Sequence, residues 1–216
     1  MFHKKQIKKF LLAHGADVNI FKGDSQNGGP PDMTLMFSCE TAKMAEILIQ
    51  NGADENARES LGFTPLHYMG VRGRFMGVDS VARVLIAYGA QLEARTLTDG
   101  CTPLHVAVKH GSAGVASVLI ESRANLEART LSDGSTPLHL AATHGHINSV
   151  RFLLLHGASM TPLGHHGRTA MEVSTYAPML QVLRSELNKR ARCEAVSMGL
   201  QARLGAGAQF SKKFPE

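Results

Sequence analysis

Asp99-Gly100-Cys101-Thr102-Pro103-Leu104-His105 and Asp133-Gly134-Ser135-Thr136-Pro137-Leu138-His139 are nearly one phrase written twice. The first continues to Val118-Leu119-Ile120, the second to Phe152-Leu153-Leu154-Leu155-His156-Gly157-Ala158. Thr102 and Thr136 are 34 positions apart, and so are Leu119 and Leu153. A period in the low thirties points to a stack of small helical units, none of which can bury its apolar face alone. Within each unit the apolar residues fall at helical spacing. Proline suits the first helical position, where no amide hydrogen is required, and the preceding threonine can cap the helix.

The same pattern extends outward in both directions. Gly62-Phe63-Thr64-Pro65-Leu66-His67 opens a unit closed by Tyr88-Gly89-Ala90, and Leu11-Leu12-Ala13-His14-Gly15-Ala16-Asp17-Val18-Asn19 reads as the end of another. Each unit resembles an ankyrin repeat, whose signature is T-P-L-H-x-A, a second helix and G-A. The resemblance implies an all-α solenoid of helix-turn-helix units joined by β-hairpin-like fingers.

On this reading residues 1–187 form the array and residues 188–216 a basic helical extension with a disordered tail. The incomplete first unit is 1–19. Its four lysines Lys4, Lys5, Lys8 and Lys9 are an N-terminal cap or, as we prefer, the chain starts inside a longer array. A degenerate unit occupies 32–55, without T-P-L-H and with an unfixed register around Met33-Thr34-Leu35-Met36. Regular units lie near 62–90, 100–124 and 134–158. At 167–187 a C-terminal cap is expected, with Leu180, Leu183 and Leu187 on the offsets of Ile147, Val150 and Leu154, and Pro178-Met179 in place of the inter-helix turn.

Two irregularities stand out. Thr64 precedes Leu85 by 21 positions, whereas Thr102 precedes Leu119 by 17, so four residues are inserted between Tyr68 and Asp79. The insertion is basic and glycine-rich. Its Arg72, Arg74 and Phe75 are candidate partner contacts, and the competing reading, which we favour, folds Phe75 and Met76 back on the helix pair. Arg123 stands where other units carry Gly52, Gly89 and Gly157, a position that ends a helix in the left-handed conformation.

Candidate binding residues also recur in the fingers. Arg58, Arg95 and Arg129 each follow an alanine at the same point and would line one edge. Their planar forks suit carboxylates or phosphates. The alternative, which weighs more, is a solvated edge paired locally with Glu93, Asp99, Glu127 and Asp133. Leu97 and Leu131 at the tips would be exposed apolar neighbours, suited to an interface anchor. His67, His105 and His139 recur once per unit, but successive units stand about 10 Å apart. Zinc needs ligands about 2 Å from one centre. These histidines are therefore expected to bond to the neighbouring finger, and the pairs His144/His146 and His165-His166 are not read as metal ligands.

The chain carries +5 formal charge and 44% hydrophobic residues, enough for a core without a single basic block. Cys39, Cys101 and Cys193 are scattered and read as reduced thiols. No secretory signal or membrane span is evident. Phosphate-loop, nucleophile-elbow and zinc-protease motifs are missing. The expectation is a non-catalytic scaffold or adaptor in the cytoplasm, with the nucleus as the alternative. It binds no cofactor, metal or small-molecule substrate. The resemblance implies that its partner is another protein, gripped by finger tips and the concave surface of first helices. Two alternatives remain: the recruiting segment of a larger signalling or ubiquitin-ligase enzyme, and a weak nucleic-acid binder acting through the basic tail.

Overall fold

In a computed structural model the described residues are 18–19, 34–73, 75–164, 167–189 and 191–193. The expectations for residues 1–17, for Arg74, for His165-His166 and for the tail beyond 193 lie outside them. A 3-10 turn, Leu35–Ser38, leads into α1 (Ala42–Gln50). The pairs α2 (Pro65–Val71) with α3 (Val78–Ala87), α4 (Pro103–Lys109) with α5 (Ala113–Glu121), and α6 (Pro137–Thr143) with α7 (Ile147–Leu155) follow. A short α8 (Ala170–Val173) and a helix over residues 177–189, α9, close the array. No strand occurs among the described residues.

The first helices α2, α4, α6 and α8 pack in one row, and the second helices α1, α3, α5 and α7 in another. Leu66, Leu104 and Leu138 from the first row meet Leu48, Leu85, Leu119 and Leu153 from the second, all essentially without solvent contact. Each buried leucine contributes about 2 kcal/mol of transfer free energy. Burial is shared between neighbours, so the core is a ribbon running along the stack.

The helix starts follow from the sequence. Pro65, Pro103 and Pro137 are first helical residues, and Thr64, Thr102 and Thr136 precede them in extended conformation. Thr34 has the same extended geometry at the start of the 3-10 turn, which settles the register of the degenerate unit. Leu35 stands where proline stands elsewhere, and Phe37 where histidine does. Three fewer residues separate Thr34 from Leu48 than separate Thr102 from Leu119, so a four-residue turn replaces the seven-residue helix. At the other helix ends, Gly52, Gly89 and Gly157 are left-handed, and so is Arg123 at φ 67°.

Three sequence expectations are corrected. Pro178 and Met179 do not form the inter-helix turn; residues 174–176 do, and Met179 is buried inside α9 with Leu183. Leu187, on the offset of buried Leu154, is exposed and lines an open cavity with Met160, Met171 and Leu183. Phe75 and Met76 do not fold back on α2 and α3: they are 65% and 97% exposed. The inserted length instead falls in the connection 72–77 and in one extra residue at the start of α3.

Candidate protein-binding surface

Four sets of repeated side chains connect the units and shape the edge on which the fingers lie. The first is the histidine row. Nδ1 of His67 accepts from the Thr64 amide at 3.1 Å and lies 2.8 Å from its hydroxyl, while Nε2 donates to the Cys101 carbonyl at 3.1 Å. His105 repeats this with Thr102 and the Ser135 carbonyl at 3.1 Å, and His139 with Thr136 and the Arg168 carbonyl at 3.0 Å. A carbonyl only accepts, so the proton sits on Nε2 and Nδ1 is left to accept. Burial disfavours the charged ring and pushes His67 and His105 down to about 4, with His139 lowered as well. Both nitrogens of each ring are thus committed to structure.

The second set follows the helix-ending residue at a fixed offset. Asn19 accepts from the Asp54 amide at 3.0 Å and donates to the Gly52 carbonyl at 2.7 Å. Asn56 repeats both bonds with Gln91 and Gly89 at 2.8 and 3.2 Å. At the next two junctions a glutamate takes over. Glu93 accepts from Asn125 at 2.8 Å and Glu127 from Ser159 at 2.7 Å. A carboxylate has no hydrogen to return, so these junctions keep half the clamp.

The third set is the arginine row. Arg58 donates to the Arg95 carbonyl at 3.0 Å. Arg95 donates to the Arg129 carbonyl at 2.6 Å and to Gly100 at 3.0 Å. Arg129 reaches the Leu163 carbonyl at 2.6 Å and Gly134 at 3.3 Å. Each arginine thus reaches backbone carbonyls of the next finger, while Glu93 and Glu127 are turned to the junction amides. The fingers also bond directly: Leu97 and Leu131 amides donate to the Leu61 and Asp99 carbonyls, both at 2.8 Å.

The fourth set is apolar. Leu97 and Leu131 are 72% and 73% exposed and lie over Gly62 and Gly100 of the preceding fingers. A Cβ on Gly100 would come within 2.3 Å of Leu131 Cγ, so glycine makes the seat for the leucine. Leu61 and Leu163 are exposed along the same edge. They do not repeat Leu97 and Leu131: Leu61 accepts from the Leu97 amide as Asp99 does from Leu131, and Leu163 accepts from Arg129 as Arg129 does from Arg95, so each stands at a position that is polar in the regular units. The edge is not a basic stripe. Asp54, Glu55, Glu59, Glu93, Asp99, Glu127 and Asp133 outnumber the three arginines.

The first-helix surface carries aromatics that pattern reading missed. Tyr68 meets Phe37 edge-to-face at 5.0 Å and Phe63 at 5.9 Å. Beside them Arg72 donates to the carbonyls of Phe37 and Cys39 at 3.4 and 3.2 Å, and its guanidinium lies 5.6 Å from the Phe75 ring centroid. Of the candidate residues, Arg58, Arg95, Leu97, Arg129 and Leu131 share the finger edge. Arg72 and Phe75 lie together at the insertion, separate from the fingers in sequence.

A ribbon core with side chains bonding only from unit to unit defines a stacked helix-pair repeat protein. A family model described as ankyrin repeats, three copies, matches residues 35–130 and 74–164, and the chain belongs to the ankyrin-repeat family. It is 36% identical over 109 residues to a putative ankyrin repeat protein of Rickettsia felis, covering 48% of this chain and 46% of that protein. A variola virus ankyrin repeat protein is 30% identical over 106 residues, covering 49% of this chain and 18% of its own length. The human transient receptor potential cation channel subfamily A member 1 is 27% identical over 122 residues, 53% of this chain and 10% of the channel. The chain thus spans less than half the length of these relatives. Ankyrin repeats are generally protein–protein interaction modules and typically non-catalytic. No helix among the described residues is long and apolar enough to cross a membrane.

Proposed function

We propose that this chain is a non-catalytic scaffold or adaptor that holds a partner protein along its finger edge and first-helix surface. The observation that carries this reading is the row of exposed leucines, Leu61, Leu97, Leu131 and Leu163, on fingers held in register by backbone and arginine bonds. Exposed apolar side chains on a rigid frame bind with little loss of conformational freedom. Arg58, Arg95 and Arg129 contribute through the N–H groups left over from their carbonyl bonds. Arg72 and Phe75 extend the surface at the insertion.

The test is Leu97→Ser with Leu131→Ser. Both side chains are largely exposed, so the stack survives, and partners cross-linked to the wild-type chain and identified by mass spectrometry should be lost or reduced about tenfold. Capture unchanged by the double substitution, with the fold intact by circular dichroism, removes the finger tips from the function.

A further inference from the structure

The insertion offers a second surface with a different chemistry from the fingers. It is held at its start. Arg72 bonds back to carbonyls of the preceding unit, and Gly73 presses on Ser112 of the following one, leaving no room there for a Cβ. The Phe75 amide closes a turn on the Arg72 carbonyl at 2.9 Å, and Gly77 at φ 84° redirects the chain into α3. Between this held start and buried Val78, Phe75 and Met76 stand out into solvent. Tyr68, Val71 and Arg72 lie on the same face of α2 by their spacing of three and four, and Val71 is exposed too. The apolar surface is therefore continuous from the helix onto the loop.

Its nearest acids are Asp79, at the start of α3, and Glu59, which acts on Tyr68. The described residues from Tyr68 to Val78 include no acid. Lys109 occupies in the next unit the place that Val71 occupies here, seven residues after its capping threonine. Neither Arg72 nor Lys109 forms an ion pair with a described carboxylate. A guanidinium lying on an aromatic ring beside exposed apolar side chains is an arrangement that receives a carboxylate and an apolar anchor together.

We infer that Tyr68, Val71, Arg72, Phe75, Met76 and Lys109 form a docking surface for an acidic peptide segment carrying an aromatic or aliphatic anchor. The anchor packs between Phe75, Met76 and Val71, and the carboxylates face Arg72 and Lys109. This inference rests on the protein-binding reading above and names the partner chemistry for one part of it.

The experiment is selection of random dodecapeptides displayed on phage against the whole chain, followed by fluorescence anisotropy with the selected peptides. Enrichment of Asp and Glu around one large apolar residue is expected. Affinity should fall at least about tenfold in the double variant Phe75→Ser, Met76→Ser, fall in Lys109→Glu, and weaken as salt rises. Selected peptides without acidic enrichment, or equally tight binding to the double variant, overturn the inference. Peptides lost on Leu97→Ser with Leu131→Ser but kept by the loop variant also overturn it, while leaving the adaptor reading in place. Failure to select any peptide, or binding of phosphatidylserine vesicles through Phe75 and Met76 in place of peptides, counts against it as well.

Discussion

The guanidinium of Arg95 lies 2.6 Å from the backbone carbonyl of Arg129, 34 residues later, so one finger holds the next by a side chain that begins in the middle of its own turn. The same group closes its own finger through Gly100 at 3.0 Å. Arg95→Ala removes both bonds. Charge-assisted bonds of this exposure contribute about 1 kcal/mol together, and the midpoint of urea unfolding should fall accordingly. An unchanged midpoint shows that water replaces the guanidinium without loss.

Acid should loosen the stack through the buried histidines. His67 and His105 titrate near 4 when folded, below the ordinary 6.5. As pH falls the unfolded chain therefore takes up protons first. Their contribution is complete above about pH 6.5 and is lost on descending to about 4. It amounts to something on the order of 3 kcal/mol for each buried ring. Urea midpoints should decline from pH 7 to pH 5, where carboxylates remain ionised, and His105→Gln should flatten that decline. A variant with the wild-type slope refutes the assignment.

Arg123 is the described non-glycine residue with positive φ, and its side chain is exposed. Replacing it by glycine relieves about 1 kcal/mol of backbone strain. Arg123→Gly should raise the thermal midpoint by several degrees, and a lower one shows that the arginine side chain holds something in place.

Gly70 lies inside α2, where alanine would ordinarily help a helix by about 1 kcal/mol. Here a Cβ would sit 2.9 Å from the Ala107 amide nitrogen and 3.1 Å from its Cα, both backbone. Ser112 Oγ also donates to the Gly70 carbonyl. Overpacking against a backbone costs about 1–3 kcal/mol, so Gly70→Ala should destabilise despite its propensity. A more stable variant in calorimetry shows that α4 shifts aside freely.

The architecture was largely legible because Thr-Pro-Leu-His encodes a helix start and a lateral bond in four residues. Thr and Pro act locally, and His67 finds Cys101 wherever an identical unit follows. The left-handed Arg123 was legible for the same reason, since its neighbours in the pattern are glycines. Long side chains were harder. Arg58, Arg95 and Arg129 reach carbonyls whose positions depend on the next finger, and nothing in their own segment favours a carbonyl over Glu93 or Glu127. Phe75 and Met76 read as core by hydropathy, yet Gly73 and Gly77 steer the loop outward. Met179 was misplaced because α9 begins earlier in its unit than α7 does, a shift that the apolar spacing of Leu180 and Leu183 conceals.

The change from asparagine to glutamate along the junctions has a dynamic consequence. Asn19 and Asn56 close a two-way clasp, whereas Glu93 and Glu127 offer a single acceptor. Opening of the rod is thereby given a direction: thermal excursions start where the clasp is one-sided, and amide hydrogens of α6 and α7 exchange with solvent sooner than those of α3.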